Sequence, residues 1–324
     1  MSNRHNAGII ILVARTKILK KTLNFFYKNW NQRYDYPIYL HTFGKIVSDD
    51  LLYEINRDIS KNIFVKEVDY GVPDHIPETD LFYNRTYNDY VKSRFPKKRI
   101  GYLHMLRFST NIISFGKKGC FSKEMEKFDY LLKFDDESWF KKKIDFDLFD
   151  ILSEYCMATG YADGDGVSLK IKKETTENIW EFYKSYLKKF QYEPKNHILK
   201  EALKKDNGDL IHELYYKCGN CELYNIPEIL KYPIKEYLDY ANLYGGDYKY
   251  RWGDNEVLGL FAYTHFDKPF FDFEFKKKGI YYPSFPSIYT DGFAPSPDDR
   301  FNVNNSFLAV VLFKIRKFIK KIFQ

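Results

Sequence analysis

Three consecutive carboxylates close an otherwise apolar run at Tyr130-Leu131-Leu132-Lys133-Phe134-Asp135-Asp136-Glu137, and the bulky segment Ser138-Trp139-Phe140 follows. A short, mostly apolar run of this kind reads as a core strand, so the acids mark its end. Adjacent like charges raise one another's pKa unless a cation or hydrogen-bond donors lie among them. A divalent metal carrying a diphosphate would supply that cation. Asp135, Asp136 and Glu137 are therefore candidates for metal and phosphate chemistry.

Other groupings of potential ligands are weaker. The cysteines are Cys120, Cys156, Cys218 and Cys221, too few for a disulfide framework in a chain of 324 residues. Cys218-x-x-Cys221 has half the spacing of a zinc site but no second pair and no His-x-x-x-His partner. Gly160 to Gly166, with Asp163 and Asp165, lacks the remaining ligands and terminal Glu of a calcium loop and reads as a solvated turn.

The elements that must position the acids follow from hydrophobic periodicity. Ala7 to Val13 is a continuous apolar run, and Leu19, Leu23, Phe26 and Trp30 then fall at helical spacing. Tyr36 to His41 is the next strand, so a parallel βαβ unit is the economical reading, with ligands at the carboxyl ends of its strands. A third strand covers Ile63 to Val68, a helix covers Tyr102 to Phe115, and another strand spans Tyr155 to Tyr161. Residues from Thr175 to about Leu210 read as helical, with Trp180, Phe182, Tyr186 and Phe190 on the apolar side.

Composition bounds the partners. With 44% hydrophobic and 29% charged residues, the chain suits a soluble globular protein of one large domain or two coupled ones. Aromatic residues make up 19%, which reads as codon bias toward A and T as much as function. The net charge of +7 is scattered through short Lys clusters with no nucleic-acid-binding signature, so no nucleic-acid partner is expected. An anionic sugar nucleotide or an anionic membrane surface fits that charge equally well. Six mostly polar residues lead into the first strand, with neither a secretory signal nor an apolar stretch long enough for a membrane anchor.

One longer stretch adds a resemblance. Gly245-Gly246-Asp247-Tyr248-Lys249-Tyr250-Arg251-Trp252-Gly253-Asp254 resembles the Gly-Gly-aromatic-Tyr-x-x-Arg-Trp-Gly-Asp signature of the fungal-type α-1,2-mannosyltransferases. Further blocks keep that family's order: Leu12-Val13 with Arg15, Tyr34-Asp35-Tyr36-Pro37, Tyr102-x-x-Met105-x-Arg107-Phe108, and Phe134-Asp135-Asp136-Glu137. Ile144-Asp145-Phe146-Asp147, Asn220-Cys221-Glu222 and Gly279-Ile280-Tyr281-Tyr282-Pro283 complete the set. The similarity spans about residues 7 to 285.

The resemblance implies an α/β protein of GT-A glycosyltransferase fold, with a Rossmann-like mixed sheet flanked by helices in one catalytic domain over residues 1–300. Its donor-binding half would lie at about 7–160 and its acceptor-side half at about 161–300. The implied activity is retaining transfer of α-mannose from GDP-mannose to a glycan, glycoprotein or glycolipid acceptor, with Mn2+ as cofactor. The alternatives are another sugar nucleotide on the same fold, or a catalytically silent nucleotide- or glycan-binding protein. By the same resemblance, Asp135 and Glu137 are metal ligands and Glu222 is the catalytic carboxylate facing the anomeric carbon. Arg15, Tyr102, Arg107, Asp135 and Asp136 border the nucleotide sugar, and Trp252, Asp254 and Tyr282 belong to the substrate site. Tyr282 stands where the family has a histidine metal ligand, and a neutral phenol is a poor manganese ligand, so water or another residue such as His265 would have to fill that position.

The last residues, 301–324, form a basic amphipathic tail in which Val311, Ile315, Phe318, Ile319 and Ile322 share one helical face with lysines and Arg316 around it. Such a helix can lie on an anionic membrane without crossing it. Family members carry an N-terminal anchor that places them in the Golgi lumen. The expectation for this chain is a cytoplasmic or membrane-surface enzyme of viral or microbial origin, with peripheral membrane contact through the tail.

Overall fold

A computed structural model describes residues 5–68, 71–82, 100–113, 123–136, 138–140, 143–160, 176–214, 221–268, 271–272 and 288–290. The chain opens with β1 (Ala7–Val13), α1 (Thr16–Asn29), β2 (Ile38–Thr42), α2 (Asp49–Asp58) and β3 (Ile63–Glu67). It continues through α3 (Ile100–Thr110), β4 (Tyr130–Asp135), β5 (Ser138–Phe140) and β6 (Met157–Gly160). Helices α4 (Ile179–Phe190) and α5 (His197–Lys205) lead to β7 (Cys221–Asn225), α6 (Ile226–Ile229) and α7 (Ile234–Tyr244). Helix α8 (Gly246–Lys249) and α9 (Asp254–His265) precede β8 (Phe271–Asp272) and β9 (Ile288–Thr290).

The main sheet has seven strands in the order β3-β2-β1-β4-β7-β6-β8. β1 pairs in parallel with both β2 and β4, and β2 with β3. β7 then runs antiparallel to β4 and to β6, which makes the sheet mixed as expected. β5 and β9 form a separate two-stranded ribbon.

Strand alternation sends neighbouring residues to opposite faces, and each face builds its own core. Ile9, Ile11, Val13, Leu40, Leu132, Phe134 and Leu223 join Leu19, Leu23 and Phe26 of α1 and Ile55 of α2. Ile10, Leu131, Met157 and Tyr224 join Phe108 of α3 and residues of α4, α5, α7 and α9. α1 and α2 therefore cover one face on the way outward from β1 to β3, while α3 covers the other on the return to β4. That reversal makes the β1/β4 boundary the topological switch point, where the carboxyl ends of the strands open a ligand crevice.

The structure refines two sequence boundaries and adds a turn between β5 and β6. The helical stretch expected from Thr175 to Leu210 is two helices, because Gln191 takes a left-handed φ of 58° and Pro194 follows before Asn196 caps α5. Asp147 caps a 3-10 turn over Leu148–Ser153 and accepts the buried hydroxyl of Tyr36 at 2.6 Å. The second strand begins at Ile38, since Tyr36 is held outside it by reciprocal bonds with Asn31 at 2.8 and 2.9 Å.

Among the described residues no helix is long and apolar enough to cross a membrane. Residues 301–324, Glu137, Tyr282, Cys218, Asp163 and Asp165 lie outside the described residues, so the readings placed on them stand as sequence expectations.

Candidate active site

Both sides of the switch point are tied together by Asp136. Its Oδ2 accepts the backbone N–H groups of Ala14 at 2.6 Å and Arg15 at 2.7 Å, and its Oδ1 accepts Arg15 Nη1 at 2.8 Å. The backbone carbonyl of Asp136 accepts the Thr22 hydroxyl at 2.8 Å. A carboxylate only 2% exposed requires such partners. Asp136, expected beside the nucleotide, is thus engaged within the protein and fixes the β1–α1 turn against the end of β4. Arg15 is part of the same lock, although its side chain is still 26% exposed.

Asp135, the last residue of β4, faces the opposite way. Its side chain is 38% exposed at the strand end, beside Leu12 of β1 in the register. Two residues earlier on the same face stands Lys133, directly opposite Glu222 of β7. The Lys133 ammonium lies 3.2 Å from Glu222 Oε1, 3.5 Å from Asp254 Oδ2 and 3.8 Å from Asp135 Oδ1. Lys133 and Asp254 side chains are each 7% exposed and that of Glu222 is 1% exposed. The cluster is mostly dry. Dry ions cost several kcal/mol each unless matched by charge and hydrogen bonds.

Glu222 is held at both oxygens, because the Tyr224 hydroxyl donates to Oε2 while Lys133 meets Oε1. Burial pushes its pKa well above the usual carboxylate range. Lys133 pulls it back, Asp254 adds to the rise, the Tyr224 hydrogen bond opposes it, and Asp135 raises it slightly further. Asp254 is the first residue of α9, where the exposed N–H dipoles favour a carboxylate. Three acids around one ammonium leave the cluster net negative when ionised. That charge and the half-exposed Asp135 suit a hard divalent cation with oxygen ligands. Among the described residues no three His, Cys, Asp or Glu side chains form a metal cage by themselves, so water and ligand oxygens would complete the shell.

Tyr102 and Arg107 serve the stretch that delivers Asp254. Arg107 Nη1 donates to Asp247 Oδ2 at 3.2 Å, His104 bonds the Tyr248 hydroxyl at 2.7 Å, and Arg251 Nη2 donates to the Tyr102 hydroxyl at 3.2 Å. The Arg251 guanidinium also lies 4.9 Å from the Tyr102 ring centre. Arg251 itself has a φ of 59°, a left-handed conformation uncommon for any residue other than glycine. Both residues expected at the donor thus have protein partners in α8 and the loop that follows.

Two sequence readings change. Trp252, expected to offer an apolar face to a sugar ring, is 1% exposed. Its ring stacks on Tyr244 and Tyr250, packs against Phe182, and donates its indole N–H to the Glu177 carbonyl at 2.7 Å. It is a core residue that sets the path into Asp254. His265, considered as a replacement metal ligand, is 7% exposed, bonds the Tyr186 hydroxyl through Nε2 at 3.0 Å and packs on Phe261 and Tyr192. It belongs to the aromatic core over the far end of α9.

Lys133 and Tyr224 were the members that sequence reasoning missed. A lysine within Leu-Leu-Lys-Phe, in the middle of a core strand, demands buried counter-charges, and that was the available signal. Tyr224 lies two residues beyond Glu222 on the same strand face, a relation visible only once Cys221–Asn225 is known to be a strand.

Probable mannosyltransferase KTR3 of Saccharomyces cerevisiae is 25% identical over 189 residues, 58% of this chain and 44% of its own length. The chain therefore spans less than half of that relative. Core-mannan synthase A (CmsA/Ktr4) of Aspergillus fumigatus, solved in a Mn/GDP form, superposes with a TM-score of 0.62 at 16% identity, covering 81% of this chain and 71% of that one. Mannosyltransferase Ktr4p of S. cerevisiae in complex with GDP gives a TM-score of 0.61 at 19% identity, covering 82% and 68%. These likenesses establish the GT-A-like fold. The sequence matches the family description of glycolipid 2-alpha-mannosyltransferases over residues 1–284, and the chain belongs to that family.

Proposed function

We propose that the chain is a retaining glycosyltransferase that moves α-mannose from GDP-mannose to a hydroxyl of a glycan acceptor. The observation that carries this reading is the gathering of Asp135, Glu222 and Asp254 around Lys133 beside the β1/β4 switch point, in a member of this family. The Mn/GDP and GDP complexes of its structural relatives support the choice of nucleotide and metal.

In this reading Asp135 holds the divalent cation, with Glu137 as the second expected ligand. When bound, Mn2+ would offset the charge growing on the departing diphosphate. Arg15, on the turn that Asp136 locks, lies beside the crevice for the nucleotide. Glu222 stabilises positive charge at the anomeric carbon, whether by forming a covalent bond or by charge alone. Asp254, at the start of α9, orients the acceptor hydroxyl.

The test is transfer with a panel of sugar nucleotides and a mannoside acceptor, with and without Mn2+. The expected result is GDP release coupled to an α-linked product from GDP-mannose, strongest with Mn2+. No turnover with any donor alongside tight GDP binding would overturn the transferase reading in favour of a binding protein. Asp135→Asn should weaken Mn2+-dependent GDP binding about tenfold or more, about 1.4 kcal/mol. Glu222→Gln should leave that binding in place and lower turnover by roughly 10²–10³-fold.

The basic tail supports a second, separable proposal, peripheral attachment to anionic membranes. Flotation with anionic vesicles should carry the full chain and not one ending at Asn305. Equal failure to float would remove that proposal.

A further inference from the structure

We propose that Lys133 is the positioning residue of the site, fixing Glu222 and Asp254 relative to each other before any metal or donor arrives. The proposal rests on the transferase reading for its kinetic consequence and on geometry for the rest. Glu222 comes from β7, Asp254 from the first turn of α9, and Asp135 from the end of β4. They are far apart in sequence, and each is within 4 Å of this one ammonium, at 3.2, 3.5 and 3.8 Å.

Alternation on β4 requires a side chain at position 133 on this face, and the neighbouring position on that face, Leu131, is an ordinary core leucine. An apolar residue at 133 would close the sheet surface but leave the carboxylates of Glu222 and Asp254 facing each other across a dry gap. Like charges in such a place repel and drive one another to protonate or turn away. A compact ammonium on a flexible stem can be shared among several partners at once, which a planar guanidinium does less readily.

The locking is directional. With Oε1 on Lys133 and Oε2 on Tyr224, the Glu222 carboxylate has its plane set from both sides. With Oδ2 on Lys133, Asp254 is tied to the same point, and α9 is thereby docked by its first residue onto β4. The donor-side acid and the acceptor-side acid thus share one anchor. Asp135, more exposed and at the longest distance, can engage a metal without leaving this arrangement.

The test compares Lys133→Met and Lys133→Arg in the full chain. Lys133→Met should lower kcat by roughly 100-fold while the Kd for GDP with Mn2+ changes less than about threefold, because the residue orients acids and does not hold the diphosphate. Lys133→Arg, which keeps the charge, should recover at least about a tenth of the wild-type kcat. Near-normal kcat in Lys133→Met, or a loss that Lys133→Arg does not relieve, would overturn the proposal. Because Lys133→Met strands charge and could unfold, urea midpoints of Lys133→Met, Glu222→Gln and the double variant complete a cycle. The double variant should be at least as stable as Lys133→Met. Additive losses would overturn the coupling. If the wild type transfers no sugar from any donor, the transferase reading fails while this stability cycle still decides whether Lys133 holds Glu222.

Discussion

At the scale of single residues, the conspicuous signature Gly245-Gly246 to Asp254 is explained by packing. Gly245 has a φ of 75° at the end of α7, a conformation that favours glycine. A Cβ on Gly246 would lie 2.0 Å from the Trp252 ring, which cannot yield because Tyr244, Tyr250 and Phe182 enclose it. Gly246→Ala should therefore destabilise the fold by about 1–3 kcal/mol through overpacking, read as a lower urea midpoint with unchanged slope. Gly246→Ala combined with Trp252→Phe, which shrinks the ring, should recover part of that loss. Asp135 was legible as chemistry because a run of carboxylates carries its own signal, whereas Glu222 and Asp254 stood out only through their resemblance to the family's blocks. Trp252 was misread for the converse reason: an aromatic ring can serve a sugar or a core equally well, and only its neighbours decide. The two roles of the Asp135-Asp136 pair were likewise invisible until the strand end sent one outward and the other onto the Ala14-Arg15 amides.

At the scale of elements, the separate sequence blocks prove to be contacts between elements. The Tyr34 to Pro37 and Ile144 to Asp147 blocks meet through the buried Tyr36–Asp147 hydrogen bond of 2.6 Å. The Tyr102 to Phe108 block and the glycine-rich block meet through Arg107–Asp247, His104–Tyr248 and Tyr102–Arg251. Burial raises the pKa of Asp247, and Arg107 opposes that rise by charge and by hydrogen bond. Arg107→Met leaves this acid buried without its cation and should cost about 3–5 kcal/mol, whereas Arg107→Met with Asp247→Asn should recover most of the loss. Chemical denaturation of the four proteins in the cycle measures it. A large loss in GDP affinity from Arg107→Met with little change in stability would instead assign Arg107 to the phosphates. The parallel βαβ opening was legible because apolar runs and helical spacing alternate cleanly. The antiparallel half was not, since Cys221–Asn225 is only five residues long and its partners come from more than 60 residues upstream.

At the scale of the whole molecule, two cores share one sheet, and the one above the site is unusually rich in tyrosine. What composition suggested was codon bias has a structural use here. Tyr183 bonds Thr264 at 2.8 Å, Tyr237 donates to the Val257 carbonyl at 2.8 Å, and Tyr186 bonds His265 at 3.0 Å, so α4 and α7 are fastened to α9 along its length. The opposite end of α9 begins with Asp254 in the site. The stability of the aromatic core and the placement of the site are therefore parts of one helix. His265 gives this core a pH dependence. Burial, with a smaller contribution from Lys195, lowers its pKa from 6.5 to about 4. The unfolded chain takes up this proton near pH 6.5 and the folded chain only near pH 4, so between those values the unfolded state binds more protons. The stabilisation from a neutral His265 is thus complete above pH 6.5 and is lost as pH falls toward 4, up to about 3 kcal/mol. Urea unfolding at pH 7, 6 and 5 should show a falling midpoint in the wild type and a flatter response in His265→Gln, which cannot take up the proton. Parallel pH responses in the two proteins would show that other groups govern the acid limb and that His265 takes up its proton equally readily in the folded and unfolded chain.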